Sequence, residues 1–172
     1  MRSFAILAAA AGAPLVAGLN YALPKQLMAL ESDCYYPASY EVRDFANWKP
    51  AAGNDNATTL DFTFVDAGAG ITTPCHLNAT SKSLTPANST LAKRWACDDG
   101  RVSFIWQKEQ LWMIEKVCPD QQTSPIFEAS GSVDPAPQCV DTDCSFPLGD
   151  GQECKQAGPM PANFTSLQPS PL

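Results

Sequence analysis

A cysteine beside a histidine, Cys75-His76, is the pair in this chain whose residue types could do covalent chemistry. A thiolate nucleophile needs a base within reach and surroundings that lower its pKa. Sequence neighbours on a strand point to opposite faces, which separates the two groups. His76 is the only histidine, so a Ser-His-Asp arrangement would have to use it too, and no Gly-x-Ser-x-Gly elbow accompanies it. Metal readings fail on spacing: Cys139, Cys144 and Cys154 form no paired Cys-x-x-Cys knuckles. Asp141-x-Asp143 leading to Asp150-Gly151 opens like a calcium loop, but Phe146 stands where the turn needs glycine. The acid pairs Asp98/Asp99 and Asp141/Asp143 would cleave glycosides only if they faced each other across ~5–9 Å, which adjacency does not supply. The dibasic Lys93-Arg94 could be a processing site, yet it sits at the start of a predicted strand, where a protease would need unfolded backbone. These residues give no catalytic group, no metal site and no cofactor, and the chain reads as a non-enzyme. What remains is aromatic: Trp95, Trp106 and Trp112 are candidates for a ligand surface, because indoles on strands stack on flat ligands or anchor interfaces.

Those aromatics sit behind a leader. Met1-Arg2-Ser3 precedes an apolar run from Phe4 to Leu19 that is about 16 residues long, short of the ~20 that span a bilayer. Small residues at Val16-Ala17-Gly18 place cleavage near Gly18, so residues 1–18 read as a signal peptide and the protein as secreted. Four sequons follow, at Asn56, Asn78, Asn88 and Asn163, as expected of a eukaryotic secretory glycoprotein. Eleven basic residues against 18 acidic ones give a net charge of −7. That balance excludes nucleic acid and anionic membranes, which are bound by neutralising phosphates with Lys and Arg.

The elements that must carry the aromatics are strands. Leu60, Phe62 and Phe64 alternate with polar residues up to Asp66. Lys93 to Val117 reads as a meander: a strand ending at Trp95 and Cys97, a turn at Asp98-Asp99-Gly100 with positive φ at the glycine, then Val102, Phe104 and Trp106 on one face. After the polar connection at 107–110, Leu111, Met113 and Val117 line one face and Trp112 and Ile114 the other. Apolar groups on both faces imply a strand covered by a loop or used in self-association. Tyr40 to Phe45 is an earlier, bulged strand, and Ile126 to Val133 a later one. Five or six strands and no long amphipathic helix make an all-β domain over residues 34–154, a small antiparallel barrel or sandwich built on the meander. Residues 19–33 read as a flexible N-terminal segment with at most a helical turn or two after Pro24. Residues 76–92 form a glycan-bearing loop, and residues 155–172 read as a disordered Pro-rich tail.

Seven cysteines leave one odd. The preferred pairs are Cys75–Cys97, Cys139–Cys154 and Cys34–Cys118. Cys144 is then the odd thiol, with Cys139 and Cys144 able to exchange roles, and an interchain bond through it would make a disulfide-linked homodimer. The set Cys34, Tyr40-x-Val42-x-x-Phe45, Leu60-x-Phe62, Cys75, Trp95-x-Cys97 and the Val102-x-Phe104 to Leu111-x-Met113 hairpin resembles the Alternaria major-allergen family. Cys139 and Cys154 are similar to that family's last cysteine pair. The resemblance implies a small secreted fungal β-barrel, sometimes a disulfide-linked dimer. It further implies allergen- or effector-like action by binding an extracellular host protein or a small aromatic ligand such as a flavonoid. Cys118, Cys144, the long 76–92 loop and the lack of a strand after Cys154 depart from the pattern, so the barrel is expected not to close fully. The alternative is a cell-wall or matrix glycoprotein without a specific ligand.

Overall fold

A computed structural model describes residues 18–28, 34–118 and 126–171. One helical turn, α1 (Lys25–Met28), precedes eleven strands among the described residues. They are β1 (Ser39–Pro50), β2 (Thr59–Asp66), β3 (Ile71–Leu77), β4 (Trp95–Ala96), β5 (Val102–Gln107), β6 (Gln110–Lys116), β7 (Phe127–Val133), β8 (Gln138–Thr142), β9 (Gly151–Lys155), β10 (Met160–Asn163) and β11 (Ser166–Pro169). Two antiparallel sheets result, and they do not close into a barrel. The first runs β3-β2-β1-β9-β8 with β10 also on β1, and the second runs β11-β7-β6-β5-β4. No helix among the described residues is long and apolar enough to cross a membrane.

The core lies between the inner faces of the sheets. Period-two alternation puts Leu60, Phe62 and Phe64 of the first sheet against Val102, Phe104, Leu111 and Met113 of the second. The rings of Phe62 and Phe104 meet edge to face at 5.1 Å. Strand β1 needs a correction to its alternation to stay in register. Its pairing with β2 shifts between Arg43 and Ala46, with Asp44 at φ 54°, and this bulge keeps Phe45 and Asn47 inward after Tyr40 and Val42.

The meander turns differ from the sequence reading. Gly100 does not take a positive φ; the 98–101 segment closes through Val102 N–H to the Asp99 carbonyl at 2.9 Å. The left-handed residues are Lys108 and Glu109, φ 52° and 63°, which join β5 to β6 directly with Gln107 opposite Gln110. The cysteines Cys139 and Cys154 lie on β8 and β9, which form a hairpin with the two directly opposite each other.

Both flanking segments are corrected as well. The expected disordered tail, residues 155–172, instead carries two strands in its described part: β10 pairs with the first half of β1, and β11 pairs with β7. Phe164 between them is fully buried, its ring 4.7 Å from that of Tyr40. At this corner the chain passes from one sheet to the other so close to β7 that a Cβ on Gly131 would lie 2.2 Å from the Asn163 carbonyl oxygen. The prolines are tolerated because β10 and β11 are single-sided strands, where a missing N–H on the free side costs no ladder bond. The segment 19–28 is not flexible surface either. Tyr21, Leu23 and Leu27 are buried in the core, and Tyr36 donates to the Leu27 carbonyl at 2.8 Å. Leu30 and residues 29–33, like residues 1–17 of the expected leader, lie outside the described residues.

Sulfur bonds join Cys34 to Cys118, Cys75 to Cys97 and Cys139 to Cys154, and Cys144 carries an exposed free thiol. The first bond closes a separation of 84 residues, for which chain-entropy arguments give a stabilisation of about 4–5 kcal/mol.

Candidate functional site

The outer face of the second sheet carries a mostly apolar concavity. Residues that alternate outward, Ser103 and Ile105 on β5 and Trp112 and Ile114 on β6, stand beside Glu128 and Ser130 on β7. A bare sheet face of this composition would be exposed, but the chain between β3 and β4 folds back over it. Leu84 N–H donates to the Arg94 carbonyl at 2.7 Å, Thr85 Oγ1 donates to the Ala92 carbonyl at 2.8 Å, and Arg94 N–H donates to Thr85 Oγ1 at 3.1 Å. The apolar outer face of β6 is therefore explained by a covering loop.

Arg94 anchors that loop. Its guanidinium grips Glu128 with two hydrogen bonds of 2.7 and 2.8 Å, and its Nε donates to Ser103 Oγ at 2.7 Å. Both side chains are only 7% exposed. Fork-to-fork geometry with the third donor also used is what makes a buried ion pair tolerable. Arg94 is thus no protease site in the folded chain.

Between this pair, the loop and β11 remains a groove of about 370 Å³. Its walls are Leu91, Ile105, Trp112 and Ile114, and its polar end is Ser130 and Ser166, whose hydroxyls lie 2.6 Å apart. The volume falls in the roughly 300–1,000 Å³ range of small-molecule pockets, and a mostly apolar lining with a few polar groups is their usual make-up. Trp112 is 38% exposed at the rim. The three sequence-nominated tryptophans are not brought together. Trp95 packs on Phe104 at 5.9 Å and Trp106 on Phe45 at 5.6 Å, both half-buried against the core, and only Trp112 reaches this groove. Sequence reasoning missed Leu91 and Ile105, whose contribution depends on the loop crossing.

The groups considered for catalysis have other partners. Cys75 is oxidised to Cys97, and His76 lies across from Asp61 on the exposed face of the first sheet, Nδ1 to Oδ1 2.6 Å. Asp99 binds the Arg101 guanidinium, which holds its carboxyl below the usual range. Asp143 accepts from Ser145 N–H and Oγ in a turn, which lowers it likewise, and Asp141 accepts from Gln152. No cluster of three or more metal-ligating side chains occurs among the described residues. All four sequon asparagines are exposed. Asn78 Oδ1 accepts from Thr80 of its own sequon, and Asn56 Nδ2 donates to the Leu148 carbonyl.

A second carboxyl arrangement was not anticipated. Glu115 takes an inward position on β6, 2% exposed, and hydrogen-bonds Asp66. Asp66 also accepts from Tyr35 O–H at 2.8 Å and from the Gly68 and Ala69 N–H groups. Burial, then the Asp66 charge, pushes the Glu115 carboxyl up to about 9. Its Oε2 has no hydrogen-bond partner among the described residues.

The fold is similar to that of the Alternaria alternata major allergen Alt a 1. One crystal structure of that allergen aligns with a TM-score of 0.50 at 12% identity, over 77% of this chain and 89% of the allergen. Another aligns with a TM-score of 0.47 at 12% identity, over 77% and 95%. The chain thus has the Alt a 1-like fold that the resemblance implied. No protein-family model and no curated protein matches the sequence.

Proposed function

We propose that this is a secreted, allergen- or effector-like fungal binding protein without enzymatic activity, and that the groove over the second sheet takes a small, flat aromatic ligand. The observation that carries the reading is the exposed Trp112 beside Ile105, Ile114 and Leu91 in a concavity of about 370 Å³. An indole rim over an aliphatic floor favours stacking of a planar ring. The Ser130 and Ser166 hydroxyls give the ligand a polar end to bond. Three disulfides in a small domain fit an oxidising, extracellular setting. The exposed Trp112 speaks against the alternative of a structural glycoprotein whose aromatics are all internal.

The test uses quercetin as a planar phenolic probe, titrated into the oxidised protein while tryptophan fluorescence is read. Saturable quenching is expected, weakened at least tenfold in Trp112→Ala. Because Trp112 lies on the outer face and outside the core cluster, that variant should still fold, and its urea midpoint is read alongside so that lost binding is scored on folded protein only. Unchanged quenching in Trp112→Ala would sink the groove as the site. Retention of a host extracellular protein by the parent but not by Trp112→Ala would assign the same surface to a protein partner.

The exposed Cys144 thiol is the proposed site of an interchain bond. Non-reducing electrophoresis should show a dimer for the parent and a monomer for Cys144→Ser. A monomeric parent whose thiol alkylates stoichiometrically would refute the dimer.

A further inference from the structure

The outer faces of the two sheets are covered unequally. Over the second sheet lies the loop held by Arg94. On the first sheet, the register turns Trp48 outward, because its neighbour Asn47 faces Leu60 from the core side, yet Trp48 is 2% exposed. Its Nε1 donates to Thr142 Oγ1 at 3.1 Å, and a Cβ on Gly151 would lie 2.5 Å from its ring, so the β8–β9 hairpin covers that end. The other end, where β10 and β2 flank the first half of β1, carries a shallow concavity of about 500 Å³ instead.

The floor of this concavity follows from register. Glu41 stands directly between Pro161 on β10 and Val65 on β2, and Ser39 stands opposite Asn163. Tyr40, Val42 and Met160 take the alternate, buried positions, so Asn163 and Pro161 share the outer face with Ser39, Glu41 and Arg43. Arg43 donates twice to Glu41 Oε2, at 2.8 and 2.5 Å, which leaves the other carboxylate oxygen for a further donor. Asn163 heads the sequon Asn163-Phe164-Thr165 and is exposed. The other three sequon asparagines lie outside the strands, whereas Asn163 ends β10 with its backbone paired to Ser39. Phe164, buried against Tyr40, and the bond from Thr165 N–H to the Ser130 carbonyl at 2.9 Å fix the residues after it. A glycan on Asn163 therefore leaves the protein from a fixed point at the rim of the concavity.

We propose that Asn163 carries an N-linked glycan whose first N-acetylglucosamine lies back over Pro161, Glu41 and Val65 and covers this end of the first sheet. Side chains directly opposite on neighbouring strands are about 5 Å apart and diagonal ones roughly 7–8 Å, so a ring joined to Asn163 reaches Glu41 and its acetamido arm reaches Val65. The acetyl methyl and the C–H face of the ring meet Val65 and Pro161, and the acetamido N–H meets an acceptor in Glu41. The sequon selects the sugar, since the chain itself supplies the attachment atom. The tether also holds the ring at high effective concentration, so a shallow surface suffices where a free sugar would need a deep pocket. This inference rests on the secreted reading proposed above and is independent of the groove at Trp112.

The full chain is expressed in a yeast culture labelled with ¹³C and ¹⁵N, the secreted protein is kept oxidised, and glycopeptide mass spectrometry reads each sequon. Endoglycosidase H then trims every glycan to its first N-acetylglucosamine. Asn163 should be modified, and its acetyl methyl should show nuclear Overhauser contacts to Val65 and Pro161. Asn163→Gln should lose those contacts, shift the Glu41 and Val65 amide resonances, and unfold at a lower urea midpoint. Val65→Ser, on the outer face, should keep the glycan and lose the acetyl contacts, with its urea midpoint read so that only folded protein is scored. A secreted protein with Asn163 bare would overturn the inference alone, as would a modified Asn163 whose acetyl methyl touches no residue of β1 or β2. A chain retained in the cell without any glycan would overturn it together with the secreted reading.

Discussion

Raising the pH through neutrality should destabilise this protein through one residue, Glu115. Its carboxyl titrates near 4.5 in the unfolded chain but near 9 in the fold, because burial and the neighbouring Asp66 disfavour its charge. Below pH 4.5 both states hold the proton, and the native arrangement keeps its full stability. Between 4.5 and 9 the unfolded chain releases the proton and the folded one does not, so stability falls as pH rises. Each pH unit costs about 1.4 kcal/mol, and the whole span is on the order of 6 kcal/mol. From pH 5.5 to pH 8.5 the loss is about 4 kcal/mol, a large share of the 5–15 kcal/mol that typically stabilises a domain. Asp99 and Asp143, held low by Arg101 and Ser145, contribute stability that is present above the ordinary carboxylate pKa and lost only in acid. The buried Tyr21 and Tyr40 and the part-buried Tyr35 are pushed up and ionise above this window. The assay is urea denaturation at half-unit pH steps, in a Cys144→Ser background so that thiolate exchange does not scramble the disulfides at alkaline pH. Glu115→Gln keeps the shape and supplies an N–H to Asp66 without titrating. It should unfold at a nearly constant midpoint across the range, close to the parent at pH 5 and more stable by several kcal/mol at pH 8.5. Parallel curves for parent and Glu115→Gln would show that Glu115 ionises as freely in the fold as outside it, and would refute the reasoning.

Phe164→Ala should cost about 3–5 kcal/mol by the cavity it leaves at the sheet corner, read as a lowered urea midpoint, and removal of residues 158–172 should cost more. An unchanged midpoint in the truncated chain would mean that β10 and β11 add nothing to the fold. Arg94→Met alone should cost about 3–5 kcal/mol by stranding the Glu128 charge, whereas Arg94→Met combined with Glu128→Leu should recover most of the loss. Equal destabilisation in the single and double variants would argue that the pair is not buried as a unit.

Alternation was legible wherever a strand has one wet face and one dry one. Leu60, Phe62 and Phe64, and later Val102, Phe104 and Trp106, mark the inner faces of the two sheets because the period of two is a local property of extended backbone. The bulge near Phe45 was legible for the same reason, as a break in that period. Loop length and strand ends pointed to the cysteine pairs Cys75–Cys97 and Cys139–Cys154, which are close in sequence. The left-handed turn at Lys108-Glu109 was not legible, since neither residue favours positive φ and the strands on either side impose it. Nor were β10 and β11: four prolines and few apolar residues read as a tail, and the partners that order them, β1 and β7, lie far away in the chain.

The candidate sites divide along the same line. The sequence by itself determined that the chain is an all-β, cysteine-rich domain with tryptophans on its strands, because residue type and period-two spacing are local. Which tryptophan faces solvent was decided by tertiary structure. Trp95 and Trp106 back onto the core, and Trp112 looks into a groove only because Arg94, held to Glu128 across 34 residues, draws the loop over the sheet. Likewise Asp66 and Glu115 read as surface acids at any short range, and Asn47 as an ordinary polar position in a strand. Their burial, and the unpaired side-chain oxygens of Glu115 and Asn47, come from the packing of one sheet on the other, which no local pattern records.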